Sequence, residues 1–240
     1  ELFEMMREFS KRKYDQSEQN GFPVKFSKQD ELSTFSESVM WIGQSTILLN
    51  HKGSTVLTDP QFSNRASPLF FSGPRRVTPT PFNIEDLPEI DVVLISHNHY
   101  DHLDSSSIRD LIQHQPSIKY MVPLGLAQTL RKWGAVDVTE LDWWQAVNFQ
   151  EVEMQPTPVK HWSSRSLFDR NKSLWAGWMM KWDDFSFYFA GDSGYSDDFK
   201  ETAKRLGNPT LAAIPIGAYE PRDFMQGAHM NPEEAVKAFE

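Results

Sequence analysis

The chain contains no cysteine. That absence excludes disulfides, thiolate nucleophiles and every zinc site built on sulfur, while saying nothing about redox compartment. Basic residues are also scarce: 24 Lys and Arg stand against 33 Asp and Glu, a net charge of −9. Such a surface lacks the broad positive field that nonspecific nucleic-acid binding requires, so no nucleic-acid partner is expected. Long hydrophobic runs are missing too. The charge-free stretch over residues 206–219 is broken by Asn208, Pro209 and Pro215 and is too short to span a bilayer. At the other end, Glu1, Glu4, Arg7 and Glu8 interrupt the apolar residues, so no signal-peptide pattern forms. The chain opens on Glu1 rather than Met, which suggests a fragment or a processed chain. Gly-rich phosphate loops, dinucleotide fingerprints and Gly-x-Ser-x-Gly elbows are all absent. What remains is a globular composition of 240 residues, 39% hydrophobic and 24% charged, and a cytoplasmic location is expected.

Residues 1–13 read as an amphipathic helix. Leu2, Met5, Met6 and Phe9 share a face, and Lys11, Arg12 and Lys13 complement the dipole at its end. Such a helix packs on a domain or touches a membrane surface. Together with the polar stretch that follows, it forms an N-terminal segment, residues 1–38. From residue 39 onward, short β-rich runs arrive in close succession: 39–49, 54–58, 91–96, 119–123, 136–141, 147–156, 173–182, 185–190 and 211–215. Helical patterns over 105–114, 125–133 and 197–206 follow strands. A fourth, over 231–240, has Asn231 at the cap, Pro232 at the first helical position and two Glu in the first turn. Residues 59–90 form a long connection with six prolines. The pattern predicts an α/β domain over 39–240, with mixed sheets covered by helices.

The informative segment is Ile95-Ser96-His97-Asn98-His99-Tyr100-Asp101-His102. A continuous apolar strand runs straight into three histidines and an aspartate. On a strand end, His97 and His99 point to the same side. A turn that follows can swing Asp101 and His102 toward a second position. Imidazole and carboxylate donors without thiolate suit zinc or another borderline first-row ion. Three downstream residues can complete such a site. His161 ends a β-type run; alone it would read as a loop histidine. Asp192 follows an apolar strand within Gly191-Asp192-Ser193-Gly194, where it either bridges two cations or sits in an ordinary turn. His229, just before the capped helix, is either an active-site acid/base or a packing residue. His51, in a hairpin turn, and His114, at a helix end, read as surface residues. Six tryptophans (143, 144, 162, 175, 178 and 182) cluster around these segments; most are expected in the core, with a lipid-facing role as the alternative.

The signature His97-Asn98-His99-Tyr100-Asp101-His102 resembles that of metallo-β-lactamase-fold hydrolases. Flanking blocks resemble one branch of that family, the N-acylphosphatidylethanolamine-hydrolysing phospholipase D group and its bacterial relatives. These blocks are Trp41-Ile42-Gly43-Gln44-Ser45-Thr46, Leu57-Thr58-Asp59-Pro60, Arg65-Ala66-Ser67-Pro68, Gly73-Pro74-Arg75-Arg76, Pro215-Ile216-Gly217-Ala218-Tyr219-Glu220-Pro221 and His229-Met230-Asn231-Pro232-Glu233-Glu234-Ala235. The resemblance implies a four-layer αββα sandwich of two mixed sheets with outer helices. It implies one zinc on His97, His99 and His161, and a second on Asp101 and His102, with Asp192 bridging. A hydroxide shared by two zinc ions would attack the phosphorus of a phospholipid. Asp101 would orient it, and His229 would bind phosphate or protonate the leaving group. A further zinc-binding His in a His-Trp-Gly-Thr-Phe-like segment has no counterpart before Glu240, so a C-terminal truncation is expected. Gln44 stands where the branch usually has His, a position expected to support the core or the ligands' surroundings. Alternatives within the fold are hydrolysis of a small phosphodiester, cyclic nucleotide or lactone; outside it stands a metal-binding scaffold with a decayed site. Peripheral membrane contact accompanies the phospholipase reading, and the oligomeric state, dimer included, is left open.

Overall fold

The computed structural model describes residues 37–69 and 71–240. The expected helix over 1–13 and nearly all of the lead-in lie outside the described residues.

Two sheets form the centre. In the first, strands β1 (Ser38–Gly43), β2 (Thr46–His51) and β3 (Ser54–Thr58) run antiparallel as a meander. β4 (Val92–Leu94), β5 (Lys119–Pro123) and β6 (Asp137–Leu141) then join parallel to β3, in spatial order β1-β2-β3-β4-β5-β6. The second sheet is β7 (Val147–Phe149), β8 (Val152–Thr157), β9 (Gly177–Lys181), β10 (Ser186–Phe189) and β11 (Leu211–Ala213), in order β11-β10-β9-β8-β7. Only its β10/β11 pair is parallel. Helices α1 (Ser105–His114) and α2 (Ala127–Trp133) cover the first sheet. Helices α3 (Asp198–Leu206) and α5 (Pro232–Phe239) cover the second, and a single turn, α4 (Arg222–Met225), precedes α5.

Side-chain alternation accounts for the four layers. Every strand of the two sheet centres is apolar on both faces, as sheets covered on both sides require. Val56, Val92, Leu94 and Met121 point inward to meet Met154, Trp178, Met180, Phe187 and Phe189 of the other sheet. Their neighbours Leu57, Val93 and Tyr120 point outward onto Ile108, Leu111 and Leu130 of α1 and α2. On the far side, Met179, Tyr188 and Ala190 receive Phe199 and Ala235 from α3 and α5. The expected αββα sandwich is therefore the fold. The helix starts follow side-chain chemistry: Asp104 accepts from the amides of Ser106 and Ser107, and Asn231 closes a capping box with Glu234.

The run over 39–49 is two strands rather than one. Gly43 (φ 141°) and Gln44 (φ 52°) turn the chain back within it. Similarly, Gln150 (φ 51°) splits 147–156 into β7 and β8. His51 is no bare surface residue. It ends β2, packs edge-on against Trp182, and meets Asp184 (3.1 Å) and Glu37. No described helix is long and apolar enough to cross a membrane.

One tryptophan joins the sheets directly beneath the signature. Trp178 is fully buried, and its indole Nε1 donates to the Ile95 carbonyl at 2.9 Å. Trp178→Phe keeps most of the apolar bulk and removes the donor. We expect it to cost about 1–2 kcal/mol of stability, read from denaturant unfolding.

Candidate metal centre

The chemistry-bearing segments leave the two sheets at one end. β4 runs into His97, β8 leads to His161 and β10 leads to Asp192. β8 and β10 both pair with β9, whose first residues face the last residues of each. The two sheets are tied here by the Ala176 amide, which donates to the Ser96 carbonyl at 2.9 Å, and by Trp178. Gly191, at φ 61°, carries the chain past Ser96. A Cβ at Gly191 would lie 2.7 Å from that of Ser96, so the residue before Asp192 has to be glycine for the sheets to approach.

Donor atoms converge in four overlapping groups; Asp59, His97 and His102 form one and His161, Asp192 and His229 another, and the remaining two match the expected ligand sets. His97, His99 and His161 each offer a nitrogen within 4.8 Å of the others, and Asp101, His102 and Asp192 each offer one donor atom within the same span. In the first group, His99 Nδ1 lies 2.8 Å from His97 Nε2 and 3.2 Å from His161 Nε2. The tautomers follow from what the other ring nitrogens touch. His161 Nδ1 is 3.1 Å from the Ala228 carbonyl, which can only accept, so that nitrogen carries the proton and Nε2 presents a bare lone pair. His97 Nδ1 is 2.9 Å from Ser96 Oγ, whose own proton goes to Asp59 Oδ2 at 2.5 Å; His97 Nε2 is thereby bare as well. Burial pushes all three imidazoles toward neutrality. His97 lies well below the ordinary value, with neighbouring histidines adding to burial. His99 is held at about 4 and His161 at about 3, each against the opposing pull of a carboxylate.

The second group is anionic around one imidazole. His102 Nδ1 meets Asp59 Oδ2 at 2.7 Å, and its Nε2 faces Asp192 Oδ2 at 3.1 Å and Asp101 Oδ2 at 3.5 Å. Burial alone would lower His102. Asp192 and Asp101 outweigh it and raise the group well above the ordinary histidine value. For Asp192, burial pulls upward, but His102 first and then His161 and His229 hold the carboxyl well below its usual range. This pocket therefore favours positive charge between its two carboxylates. The buried His99 Nε2 has no hydrogen-bond partner, while His102 Nε2 has the two carboxylates before it. Neutral imidazoles with bare lone pairs in the first group and facing carboxylates in the second are donors that suit a borderline divalent cation, so these residues fit metal of the zinc type.

His229 lies beside both groups. Its Nδ1 is 3.8 Å from Asp192 Oδ2, and its ring packs edge-on against His161 with centroids 5.2 Å apart. Its backbone carbonyl accepts from Arg222 Nη1 at 2.8 Å, and α4 supplies that arginine.

Sequence reading passed over several residues of this site. Asp59, fully buried, is the acceptor shared by Ser96 and His102. Its signal was an aspartate between a short β-rich run, Ser54–Thr58, and a proline. Gln44 was not passed over: expected to support the core or the ligands' surroundings, it is exposed, takes no part in the core, and donates from Nε2 to Asp101 Oδ2 at 2.9 Å. Arg165 donates to the carbonyls of Asn98 and Leu103 at 2.8 and 2.6 Å, pinning the signature turn from outside.

A sandwich of this topology with a histidine–aspartate cluster at one sheet end defines a β-lactamase-type protein. The chain belongs to that superfamily: the β-lactamase superfamily domain matches residues 54–240. Within it, the chain is 42% identical over 207 residues to N-acyl-phosphatidylethanolamine-hydrolyzing phospholipase D 1 of Caenorhabditis elegans, covering 82% of this chain and 58% of that protein. It is 37% identical over 204 residues to the mitochondrial N-acyl-phosphatidylethanolamine-hydrolyzing phospholipase D of Saccharomyces cerevisiae, covering 82% and 43%. Among solved structures, the isothiocyanate hydrolase from Delia radicum gut bacteria superposes with a TM-score of 0.65 at 20% identity, over 83% of this chain and 78% of that one. The chain spans about half the length of the curated relatives it matches.

Proposed function

We propose that residues 39–240 form the catalytic core of a zinc-dependent phosphodiesterase of phospholipase D type, acting on N-acylphosphatidylethanolamine-like phospholipids. The convergence of bare imidazole nitrogens with two facing carboxylates carries the metal-hydrolase reading. The 42% identity to a phospholipase D of that specificity supports the substrate.

In this reading His97, His99 and His161 hold one zinc, Asp101 and His102 hold a second, and Asp192 lies between. Zinc bound there supplies Lewis-acid charge beside the phosphate and a water acidified toward neutral pH. The protein's own groups do the rest. Asp101, held by Gln44, accepts a proton from the attacking water and aims it at phosphorus. His229 stands next to Asp192, within reach of the phosphate or the leaving oxygen, and protonates the departing N-acylethanolamine alcohol. Ser96 and Ala228 keep the His97 and His161 protons on Nδ1, away from the ligand positions.

The test is product analysis. Purified zinc-loaded protein should release N-acylethanolamine and phosphatidic acid from N-acylphosphatidylethanolamine, and chelation should stop the release. Turnover of a lactone or cyclic nucleotide with the phospholipid untouched would assign the site to a soluble substrate. Protein that binds no zinc and hydrolyses nothing would be a scaffold.

A milder expectation concerns Gln44. Its hydrogen bond to Asp101 is partly exposed, and such a bond contributes about 0.5–1.5 kcal/mol. Gln44→Ala should lower kcat by roughly two- to tenfold with little change in melting temperature or zinc content. A rate equal to wild type would show that Asp101 needs no such restraint.

A further inference from the structure

The segment from residue 162 to residue 173 leaves the metal cluster immediately after His161 and returns to β9. It is a closed, internally braced loop. At its base, the Asn171 amide donates to the Ser163 carbonyl at 2.7 Å, and the Ser163 amide donates back to Asn171 Oδ1 at 3.2 Å. At its centre, the Asp169 carboxylate accepts from Ser164 Oγ (2.9 Å) and from the amides of Arg165 (3.0 Å) and Ser166 (2.8 Å). Its outer wall is Arg165, stacked 4.0 Å over the Tyr100 ring of the signature. Arg170 lies 4.7 Å over Trp162, and Trp162 packs edge-on against His99.

The tip of this braced loop is Leu167-Phe168, 93% and 82% exposed. Single exposed hydrophobics are ordinary, but two large adjacent ones held out by an ordered loop are not. Nothing in the bracing serves to bury them: every hydrogen bond given above fixes the backbone beneath the tip. After Asp169, whose carboxylate is turned onto the loop's own amides, come Arg170 and Lys172, both exposed. In a chain of net charge −9, an apolar tip flanked by cations is a local departure from the average surface. That combination matches the interfacial zone of an anionic bilayer, apolar beneath and negatively charged at the headgroups.

We propose that this loop is a membrane anchor: Leu167 and Phe168 insert into the interface of an anionic phospholipid bilayer, Arg170 and Lys172 meet its headgroups, and the metal cluster at the loop's root is thereby held beside the lipid surface. The proposal deepens the phospholipase reading and rests on it. Because the loop is ordered beforehand, insertion costs little further conformational entropy. Because its root is His161, the loop adjoins the site along the chain.

The test is cosedimentation of the purified protein with phosphatidylcholine vesicles, with and without phosphatidylserine, for the wild type, for the double variant Leu167→Ser/Phe168→Ser and for Arg170→Gln. Wild type should bind, and more strongly with phosphatidylserine present. The double variant should lose about tenfold or more in partitioning, and Arg170→Gln should lose the dependence on phosphatidylserine. The same double variant should hydrolyse N-acylphosphatidylethanolamine in vesicles proportionally more slowly while hydrolysing a short-chain monomeric analogue at the wild-type rate. Unchanged partitioning by the double variant overturns the anchor, as does an equal loss on the monomeric substrate, which would mark a folding defect. A self-association lost in the double variant, with vesicle binding unaltered, assigns the tip to a protein contact instead. Vesicle binding that depends on the tip, in a protein that hydrolyses no phosphodiester, would refute the phospholipase reading and leave the anchor standing.

Discussion

Replacing Asp192 with Asn is expected to reduce turnover by on the order of a thousandfold, corresponding to ~4 kcal/mol of lost transition-state stabilisation, and to strip most of the bound metal. The reason lies in its neighbours. Asp192 Oδ2 faces both donor groups, 3.1 Å from His102 Nε2 and 4.0 Å from His161 Nε2, with His229 Nδ1 at 3.8 Å. A neutral amide of the same shape keeps the packing and removes the charge. It also turns an NH2 group, a donor, toward atoms that must act as ligands. His102 would then keep Asp59 on Nδ1 at 2.7 Å but only Asp101, at 3.5 Å, facing Nε2. The variant should fold, since the turn depends on Gly191 rather than on the carboxylate. Metal content by elemental analysis and steady-state hydrolysis decide the matter together. Full occupancy with full turnover would remove Asp192 from its bridging position.

The parts of this structure that were legible in the sequence depend on neighbours along the chain. α1 spans the residues over which the helical pattern 105–114 predicts it, because helical periodicity acts over three or four residues. The strands leading into His97 and Asp192 were legible because a strand covered on both faces must be apolar throughout. The break between β1 and β2 was not, because the Gly43-Gln44-Ser45 turn is short and lies between two β-rich stretches that read as one run. The environment of the site was hidden for the same reason of distance. Asp59 reaches Ser96 and His102 across 37 and 43 residues. Gln44 reaches Asp101 across 57 residues. His161 is oriented by the carbonyl of Ala228, 67 residues away, and a carbonyl carries no residue identity at all. The His and Asp residues announced themselves by type; the groups that set their protons did not.

Asp59 is the site of the second large effect, and two substitutions there should separate structure from chemistry. The carboxylate is wholly buried and accepts from the Ser96 amide at 2.7 Å, from Ser96 Oγ at 2.5 Å and from His102 Nδ1 at 2.7 Å. Burial pushes its carboxyl upward, and these donors, His102 foremost, oppose the push. Asp59→Ala leaves three buried donors without an acceptor, at the point where Asp59 also bonds through its backbone to Leu94 and Thr46. We expect a loss of about 3–5 kcal/mol in denaturant unfolding. Asp59→Asn acts differently. Its single carbonyl oxygen cannot serve all three donors, so its NH2 must face one of them. Against His102, that NH2 makes Nδ1 the acceptor, so when the ring gives up a proton to bind metal the one it keeps lies on Nε2, the nitrogen that faces Asp101 and Asp192. A histidine in the wrong tautomer is a poor ligand, and loss of such an orienting partner lowers metal affinity by about 10- to 100-fold. The Asn variant should therefore unfold nearer to wild type than the Ala variant, bind the first equivalent of zinc normally through His97, His99 and His161, and bind the second weakly by titration calorimetry. Its hydrolysis should recover in part as zinc concentration rises. Wild-type affinity for both equivalents in Asp59→Asn would show that His102 holds its tautomer without Asp59.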